Sequence, residues 1–430
     1  MPLLAELSSR GLVHQTSEPD LDNRLATLAS RGPISCYAGF DPTADSLHVG
    51  NFVAILGLMH AQRNGIPPIA LVGGATGLIG DPSGKAAERN LLTKEHVALN
   101  VQGIRKVLQK FLDFDHPTAP AKLVSNLDWF GPMSAIDFLR EVGKHFRVGS
   151  MLAKESVRTR MEGSDEGMSY TEFSYQLLQG YDFYRLYKDH HCVLQLGGSD
   201  QWGNITAGTD LIRKLDGESG NAFALTMPLI TTSSGQKFGK SEGNAVWLTA
   251  DKTQPFDFYQ FWLRTEDADA PRYLKIFTFL PVAEIDAIVA EHQQAPETRI
   301  AQKRLAAEMT TLVHGEEATR QAISASEVLY SSSASEFTEE TINALAVEVP
   351  TTTISRAKLD AGWPLIDAIV ETGLAKSKGE ARRLIAQGGI YLNNKQISEA
   401  STRLNATSLA TATALVLRSG KKNYRLVRIS

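Results

Sequence analysis

The chain has 430 residues, 43% of them hydrophobic and 21% charged, with a formal net charge of −4; that is too much chain for one core and predicts two or three domains. No run of 18 apolar residues is present to cross a bilayer, and the segment Met1 to Arg10 carries Glu6 and lacks a signal-peptide core, so a cytoplasmic protein is expected. The two cysteines, Cys36 and Cys192, each sit in an apolar, strand-like run and read as core residues rather than a disulfide or a metal pair.

Residues 1–32 read as peripheral helix. Ile34 to Phe40 is expected as the first inner strand, with Tyr37 at its middle, a phenol whose hydroxyl needs a partner if buried. Phe52 to Gln62 has a helical period, so Phe40-Asp41-Pro42-Thr43-Ala44-Asp45-Ser46-Leu47-His48-Val49-Gly50-Asn51 is a strand-to-helix turn. Such turns open at the carboxyl end of a strand, where the amides of a helix start hold anions. His48 adds a hydrogen-bond donor there, and Gly50 lets a ligand lie against the backbone; a plain helix entry with a surface histidine is the other reading of the same residues.

Pro68 to Gly74 is a second strand that passes into the glycine-rich stretch Gly73 to Lys85. This is not a Walker loop, because alanine follows Gly84-Lys85 and the upstream glycine spacing is absent. Asp81 stands at the loop's edge, and Lys85 and Arg89 follow as loop cations. Leu91 to Leu112 reads as helix, Lys122 to Asn126 as strand, Ser134 to Val142 as helix, and Met151 to Met168 as a polar surface connection that can face a partner chain. Thr171 to Tyr187 is a long amphipathic helix on which Tyr175, Gln179 and Asp182 recur at i, i+4 and i+7 and share one face. That face is either the wet side of a surface helix or the polar lining of a small-molecule pocket.

His190-His191 reads as a helix-end pair, since adjacent side chains on a regular element diverge. Val193 to Leu196 is a short strand that ends in Gly197-Gly198-Ser199-Asp200-Gln201-Trp202-Gly203-Asn204, a site for a ribose with Asp200 accepting from sugar hydroxyls. Ala222 to Ile230 is the last strand, followed by Lys237-Phe238-Gly239-Lys240-Ser241, whose two lysines form a flexible clamp for phosphate oxygens. The alternation of strands and helices argues for a parallel, doubly wound sheet. Thr253 to Leu329 is helical, and the Ser/Thr-rich stretches 331–335 and 351–355 flank a short helix and read as a linker. Residues 361–430 carry 11 Lys+Arg against 4 Asp+Glu, a net of +7, which leaves 33 against 44, or −11, in residues 1–360. A basic tail on an acidic body points to a polyanionic partner.

Taken in order, these stretches resemble the bacterial tyrosyl-tRNA synthetases of class I. His48-Val49-Gly50-Asn51 stands where that family has His-Ile-Gly-His, and Lys237-Phe238-Gly239-Lys240-Ser241 where it has Lys-Met-Ser-Lys-Ser. Leu71 to Gly84, Tyr175 to Asp182 and Gly197 to Asn204 match between them, and Ser377 to Ile385 with Gly388 to Asn393 resemble a small RNA-binding domain shared with a ribosomal protein. The departure is Asn51 in place of the second signature histidine; it keeps a side-chain donor at similar reach, so ATP binding is expected to survive.

The resemblance implies a Rossmann-like, doubly wound α/β catalytic domain over 1–249, an α-helical anticodon-side domain over 250–330, a linker over 331–357 and a small basic α+β RNA-binding domain over 358–430. It implies activation of L-tyrosine by ATP to tyrosyl-adenylate and pyrophosphate, then transfer to the 3'-terminal adenosine of tRNA(Tyr). Tyr37 and Asp182 would meet the substrate phenol, Tyr175, Gln179 and Asp81 its ammonium group, and Gln201 its carboxylate. Asp41, Thr43, His48, Gly50 and Asn51 would face ATP, Gly198 and Asp200 the ribose, and Lys85, Arg89, Lys237, Lys240 and Ser241 the phosphates. Lys378, Arg382 and Arg383 would contact RNA. ATP is the implied co-substrate, with Mg2+ held by the triphosphate and water rather than by a protein site, and the implied assembly is a homodimer away from membranes. Two other functions fit the same residues: the related tryptophan enzyme, and a non-enzymatic RNA-binding protein that keeps the fold.

Overall fold

Six strands form the sheet of the first unit: β1 Gln15–Thr16, β2 Ser35–Phe40, β3 Pro68–Val72, β4 Lys122–Ser125, β5 Cys192–Gly198 and β6 Phe223–Met227, in the order β1-β6-β5-β2-β3-β4. The computed structural model describes residues 2–83, 91–162, 167–217, 220–235, 238–241, 244–330, 337–420 and 423–430. β2 to β6 run parallel, and β1 closes one edge antiparallel to β6. β3 and β6 are buried along their whole length, as strands covered on both faces must be, and this is why they read as unbroken apolar runs. The chain goes from β2 to β3 and β4 on one side, then returns to β5 and β6 on the other. That reversal opens a crevice at the carboxyl ends of β2 and β5, where open α/β sheets bind ligands.

Helix Val49–Arg63 buries Phe52, Val53, Ile55, Leu56, Leu58 and Met59. Helix Tyr170–His190 starts at Ser169, whose hydroxyl accepts from the Glu172 N–H at 3.2 Å, and stops at His191, which is left-handed with φ 53°. Its Phe183 and Leu186 pack on Tyr37, Ile69, Leu71, Cys192 and Ile212. Both cysteines are buried free thiols, and the His190-His191 pair falls at the helix end as expected.

Three readings change. Residues 1–32 are not peripheral, because Leu3, Leu7, Leu12 and Leu21 are buried and Gln15–Thr16 joins the sheet. Met151 to Met168 is not a bare connection: helices Val148–Leu152 and Glu155–Glu162 occupy it, and Arg160 makes a buried two-pronged ion pair to Glu172 at 3.0 and 3.1 Å. Ser134 to Val142 begins as Ala135–Asp137 and widens into a π-helical turn over Phe138–Val142.

By packing, the chain divides into two units, 1–253 with 265–305 and 254–264 with 306–430. Residues 265–305 belong with the first unit for identifiable reasons. Buried Arg10 donates to the carbonyls of Thr278 at 2.9 Å and Leu280 at 3.0 Å, and Tyr273 and Phe277 hold the Phe238 ring at 4.8 and 5.1 Å. In the second unit, helix Pro255–Leu263 is tied to helix Glu316–Tyr330 by Gln260 Nε2 donating to Ser326 Oγ at 2.8 Å.

The tail sheet has five strands in the order Lys395–Gln396, Ile390–Leu392, Ala414–Ser419, Asn423–Ile429, Thr351–Ile354. Thr351–Ile354 pairs in parallel with Asn423–Ile429 and helix Glu339–Glu348 precedes it, so the stretch 337–357 expected as linker is largely ordered structure of the tail. Trp363, Leu365, Ile385 and Leu417 lie in the tail's core. Among the described residues no helix is long and apolar enough to cross a membrane.

Candidate active site

The crevice is lined by two runs of hydrogen bonds that meet on helix Tyr170–His190. Its one-face spacing does place Tyr175, Gln179 and Asp182 at the crevice, with Tyr175 and Asp182 buried. The Tyr175 hydroxyl donates to Asp41 Oδ2 at 2.8 Å, and Thr76 Oγ1 donates to Asp41 Oδ1 at 2.8 Å. Asn126, fully buried past the end of β4, donates from Nδ2 to Thr76 Oγ1 at 2.9 Å and to Asp182 Oδ2 at 3.1 Å, while its Oδ1 accepts from the Ala75 N–H at 2.7 Å. Trp129 Nε1 completes this run by donating to Asp182 Oδ1 at 2.8 Å.

Asp182 is only 2% exposed. Burial pushes its carboxyl up to about 7, against the pull of the Asn126 and Trp129 hydrogen bonds, which favour the ionised form. Beside it the Tyr37 hydroxyl is fully buried without a hydrogen-bond partner, as is Gln195 Oε1 from the adjacent strand position. Burial, then the Asp182 charge, drive the Tyr37 phenol well above its usual range.

The second run gathers around Asp81, 9% exposed. Gln201 Nε2 donates to Asp81 Oδ2 at 2.7 Å, the Ser83 N–H to Oδ1 at 3.0 Å, and Asn204 Nδ2 reaches both Asp81 Oδ1 at 3.4 Å and Gln179 Oε1 at 3.1 Å. Burial, followed by the charges of Asp41 and Asp81, raises the Tyr175 phenol well above the ordinary value.

At the other end stands the His48 turn. His48 caps helix Val49–Arg63: its Nδ1 accepts from the Gly50 N–H at 3.0 Å, and Asn51 Oδ1 accepts from the His48 N–H at 3.2 Å. Because Nδ1 is an acceptor, the neutral ring carries its proton on Nε2. Thr43 is exposed on this turn, while Gly198 and Asp200 lie where β5 gives way to the Ser199–Gln201 turn. Lys240–Ser241 forms a two-residue strand with Asn244–Ala245. Lys85, Arg89, Lys237 and the side chains of Lys240 and Ser241 lie outside the described residues.

The structure thus brings Tyr37, Asp41, Asp81, Tyr175, Gln179, Asp182 and Gln201 together. Asp41, expected on the ATP side, is hydrogen-bonded here to Tyr175 and Thr76 on the first run. Thr76, Asn126, Trp129, Gln195 and Asn204 were missed from the sequence. Asn126-Leu127-Asp128-Trp129 directly follows an inner parallel strand, where ligand-facing residues gather, and that position was the available signal. On the tail, Arg382 and Arg383 are exposed on helix Lys378–Ala386, while Lys378 is ion-paired with Asp367 at 2.7 Å.

Residues 29–331 match the family model described as tRNA synthetases class I (W and Y), and residues 341–427 match the one described as the tyrosine–tRNA ligase SYY-like C-terminal domain. The chain belongs to this class I family and, within it, to the bacterial tyrosyl-tRNA synthetases. It is 51% identical to the tyrosine–tRNA ligase of Flavobacterium johnsoniae, with 99% of each chain covered, and 51% identical to that of Bacillus caldotenax over the whole of both. A C-terminally truncated mitochondrial tyrosyl-tRNA synthetase of Aspergillus nidulans superposes with a TM-score of 0.65 at 33% identity, covering 75% of this chain and 92% of its own. A tryptophanyl-tRNA synthetase of Encephalitozoon cuniculi, at 12% identity and a TM-score of 0.52 over 74% of this chain and 87% of its own, shares the fold.

Proposed function

We propose that this chain activates L-tyrosine with ATP to tyrosyl-adenylate and pyrophosphate and then transfers the tyrosyl group to the 3'-terminal adenosine of tRNA(Tyr). The observation that carries this reading is a carboxyl group, Asp182, held by Asn126 and Trp129 beside the unpartnered Tyr37 hydroxyl in a dry part of the crevice. A substrate hydroxyl satisfies both groups there. Phenylalanine leaves them without a partner, and an indole ring brings its one donor on a different outline.

Asp81 draws the ammonium group, with Tyr175 and Gln179 orienting it, Gln201 near the carboxylate, and Asp41, the hydrogen-bond partner of Tyr175, toward ATP. The first step is in-line attack by that carboxylate on the α-phosphorus. The nucleophile is already ionised and needs no general base, so the site has only to align the reactants and place donors where charge grows. His48 Nε2–H is such a donor on ATP, with Thr43, Gly50 and Asn51 on the same turn and Gly198 and Asp200 at the ribose. Lys85, Arg89, Lys237, Lys240 and Ser241 are proposed at the phosphates from their place in the family's motifs. Mg2+ is proposed to travel with the triphosphate, held mostly by its oxygens and water.

An amino-acid panel in ATP–pyrophosphate exchange tests the reading. Tyrosine is expected to exchange and phenylalanine and tryptophan to fail; exchange with tryptophan would give the chain to the tryptophan enzyme, and silence with all three would revive the RNA-binding alternative. For the tail, replacing Arg382 and Arg383 together by glutamine is expected to lower the salt dependence of tRNA binding by a log–log slope of about 1 to 2 and leave adenylate formation unchanged. An unaltered slope removes them from the RNA face. A homodimer is proposed as well, because among the described residues large apolar side chains left exposed concentrate between residues 127 and 170, Ile136 at 64% and Val148 at 60% among them, and the cytoplasm is proposed from the likeness to bacterial tyrosine–tRNA ligases. Sedimentation of Ile136→Glu/Val148→Glu is expected to show monomers, and unchanged dimers would place the interface elsewhere.

A further inference from the structure

The His48 turn is stitched to a segment two hundred residues further along the chain. The Val49 N–H donates to the Val246 carbonyl at 2.8 Å, the Leu248 N–H donates to the Leu47 carbonyl at 2.9 Å, and His48 and Trp247 face each other across this antiparallel bridge. Their rings also meet, with centroids 5.8 Å apart and planes at 69°. On the Trp247 ring the Lys252 ammonium lies 5.4 Å from the centroid, and Asp45 holds that ammonium at 2.8 Å. The Trp247 N–H is itself fixed, donating to Thr253 Oγ1 at 2.9 Å.

The segment that ends at Trp247 begins at the lysine motif, and the fit between the two is close. Gly239 has φ +92°, and a Cβ there would stand 3.0 Å from the Gly50 nitrogen; a Cβ on Gly50 would press on the His48 ring at 2.8 Å. The Gly239 carbonyl accepts from the Val246 N–H at 3.0 Å, so the chain turns back on itself between the motif and Trp247.

We propose that Trp247 is a positioning residue for His48, holding the imidazole so that Nε2–H meets an ATP phosphate oxygen. The inference rests on the reading of His48 as an ATP donor. The hydrogen bond at Nδ1 holds the imidazole at one edge, and the edge-to-face contact with the indole adds a restraint on the plane of the ring. The backbone bridge survives an aliphatic residue at 247, because it is made by main-chain atoms; the ring contact does not. Replacing the indole therefore separates orientation of the imidazole from placement of the turn.

The test is single-turnover adenylate formation from tyrosine and ATP in the full chain, comparing wild type with Trp247→Leu, Trp247→Phe, His48→Gly and the Trp247→Leu/His48→Gly double variant. Trp247→Leu is expected to slow the step by about tenfold or more, as misaimed groups do, with KM for tyrosine unchanged and most of the rate recovered in Trp247→Phe. In the His48→Gly background the leucine substitution is expected to cost nothing further. Equal slowing in both backgrounds, or no slowing in either, overturns the inference. A His48→Gly enzyme at full speed overturns the reading of His48 instead. Should Trp247→Leu lose its thermal transition, Trp247→Met takes its place in the same cycle with the same outcomes.

Discussion

At the Asp182 end of the crevice, the carboxyl is fixed by donors from two residues some fifty positions away in sequence, both beyond the end of β4, and is buried from solvent. At the His48 turn, Asn51 accepts from the His48 N–H and His48 from the Gly50 N–H, all within four residues of chain, and Gly50 and Thr43 beside them are exposed. The first end is preorganised by burial and long-range contacts, the second by local capping and a backbone bridge. Losing a partner inside a dry network leaves a charge or dipole with nothing to replace it, whereas water can stand in on an exposed turn. The contrast predicts large, pH-dependent penalties at Asp182 and small penalties at Asn51.

The sharpest way to break it is Asp182→Asn. An amide cannot take the charge that a phenolic hydroxyl donates to, so kcat/KM for tyrosine is expected to fall by about a hundredfold or more while that for phenylalanine changes little. In the wild type, kcat/KM should rise with pH through about 7 as the buried carboxyl ionises, and the variant should lose that step. Stability should move oppositely. The folded-state pKa lies above the ordinary 3.8, so the unfolded chain ionises first and stability declines as pH rises from 3.8 through about 7, by roughly 4 kcal/mol in all. Asp182→Asn is expected to abolish that decline, leaving a protein whose stability no longer depends on pH over this range, whose single amide oxygen serves only one of the Asn126 and Trp129 donors, and which is poorer at choosing tyrosine. Thermal melts at pH 5 and pH 8 check this; parallel melts of the two proteins would mean that Asp182 is ionised without penalty.

The same contrast explains what could be read from the chain. The His48 turn and the Tyr175, Gln179 and Asp182 face are local patterns, a helix start and an i, i+4, i+7 stripe, and both stand as read. Asn126, Trp129, Thr76 and Asn204 serve partners that lie up to 123 positions away, as Asn204 does toward Asp81, and no local period encodes that. Gln15–Thr16 is two residues long, too short to show an alternation, so its place at the sheet edge stayed hidden. Thr351–Ile354 failed differently: a run of threonines is β-branched and polar at once, fit for a sheet edge or for a linker, and pairing with Asn423–Ile429 decides between them.

Trp129→Phe sharpens the comparison at an intermediate scale. It keeps an aromatic ring against the Tyr181 and Leu211 cluster and removes one donor, the 2.8 Å bond to Asp182 Oδ1. That bond favours the ionised carboxyl, so its loss moves the midpoint of the pH profile above about 7 and costs about tenfold in kcat/KM for tyrosine at neutral pH. A midpoint that stays put would show that the Trp129 bond has no part in setting the charge state of Asp182.

Asn51→Ala probes the other end and should have the smallest effect. Asn51 Oδ1 accepts from the His48 N–H at 3.2 Å, half of a reciprocal cap at the start of helix Val49–Arg63. Losing such a cap costs about 1 kcal/mol when water can take its place. The other half, the Gly50 N–H to His48 Nδ1, remains, so the imidazole keeps the same tautomer and only the start of the helix loosens. Adenylate formation is therefore expected to slow by about fivefold with KM for tyrosine unchanged, without the pH step that marks the Asp182 end. A loss as large as that of Asp182→Asn would mean that this turn is as preorganised as the phenol pocket, and that the carboxamide does more at the nucleotide than hold the histidine's backbone.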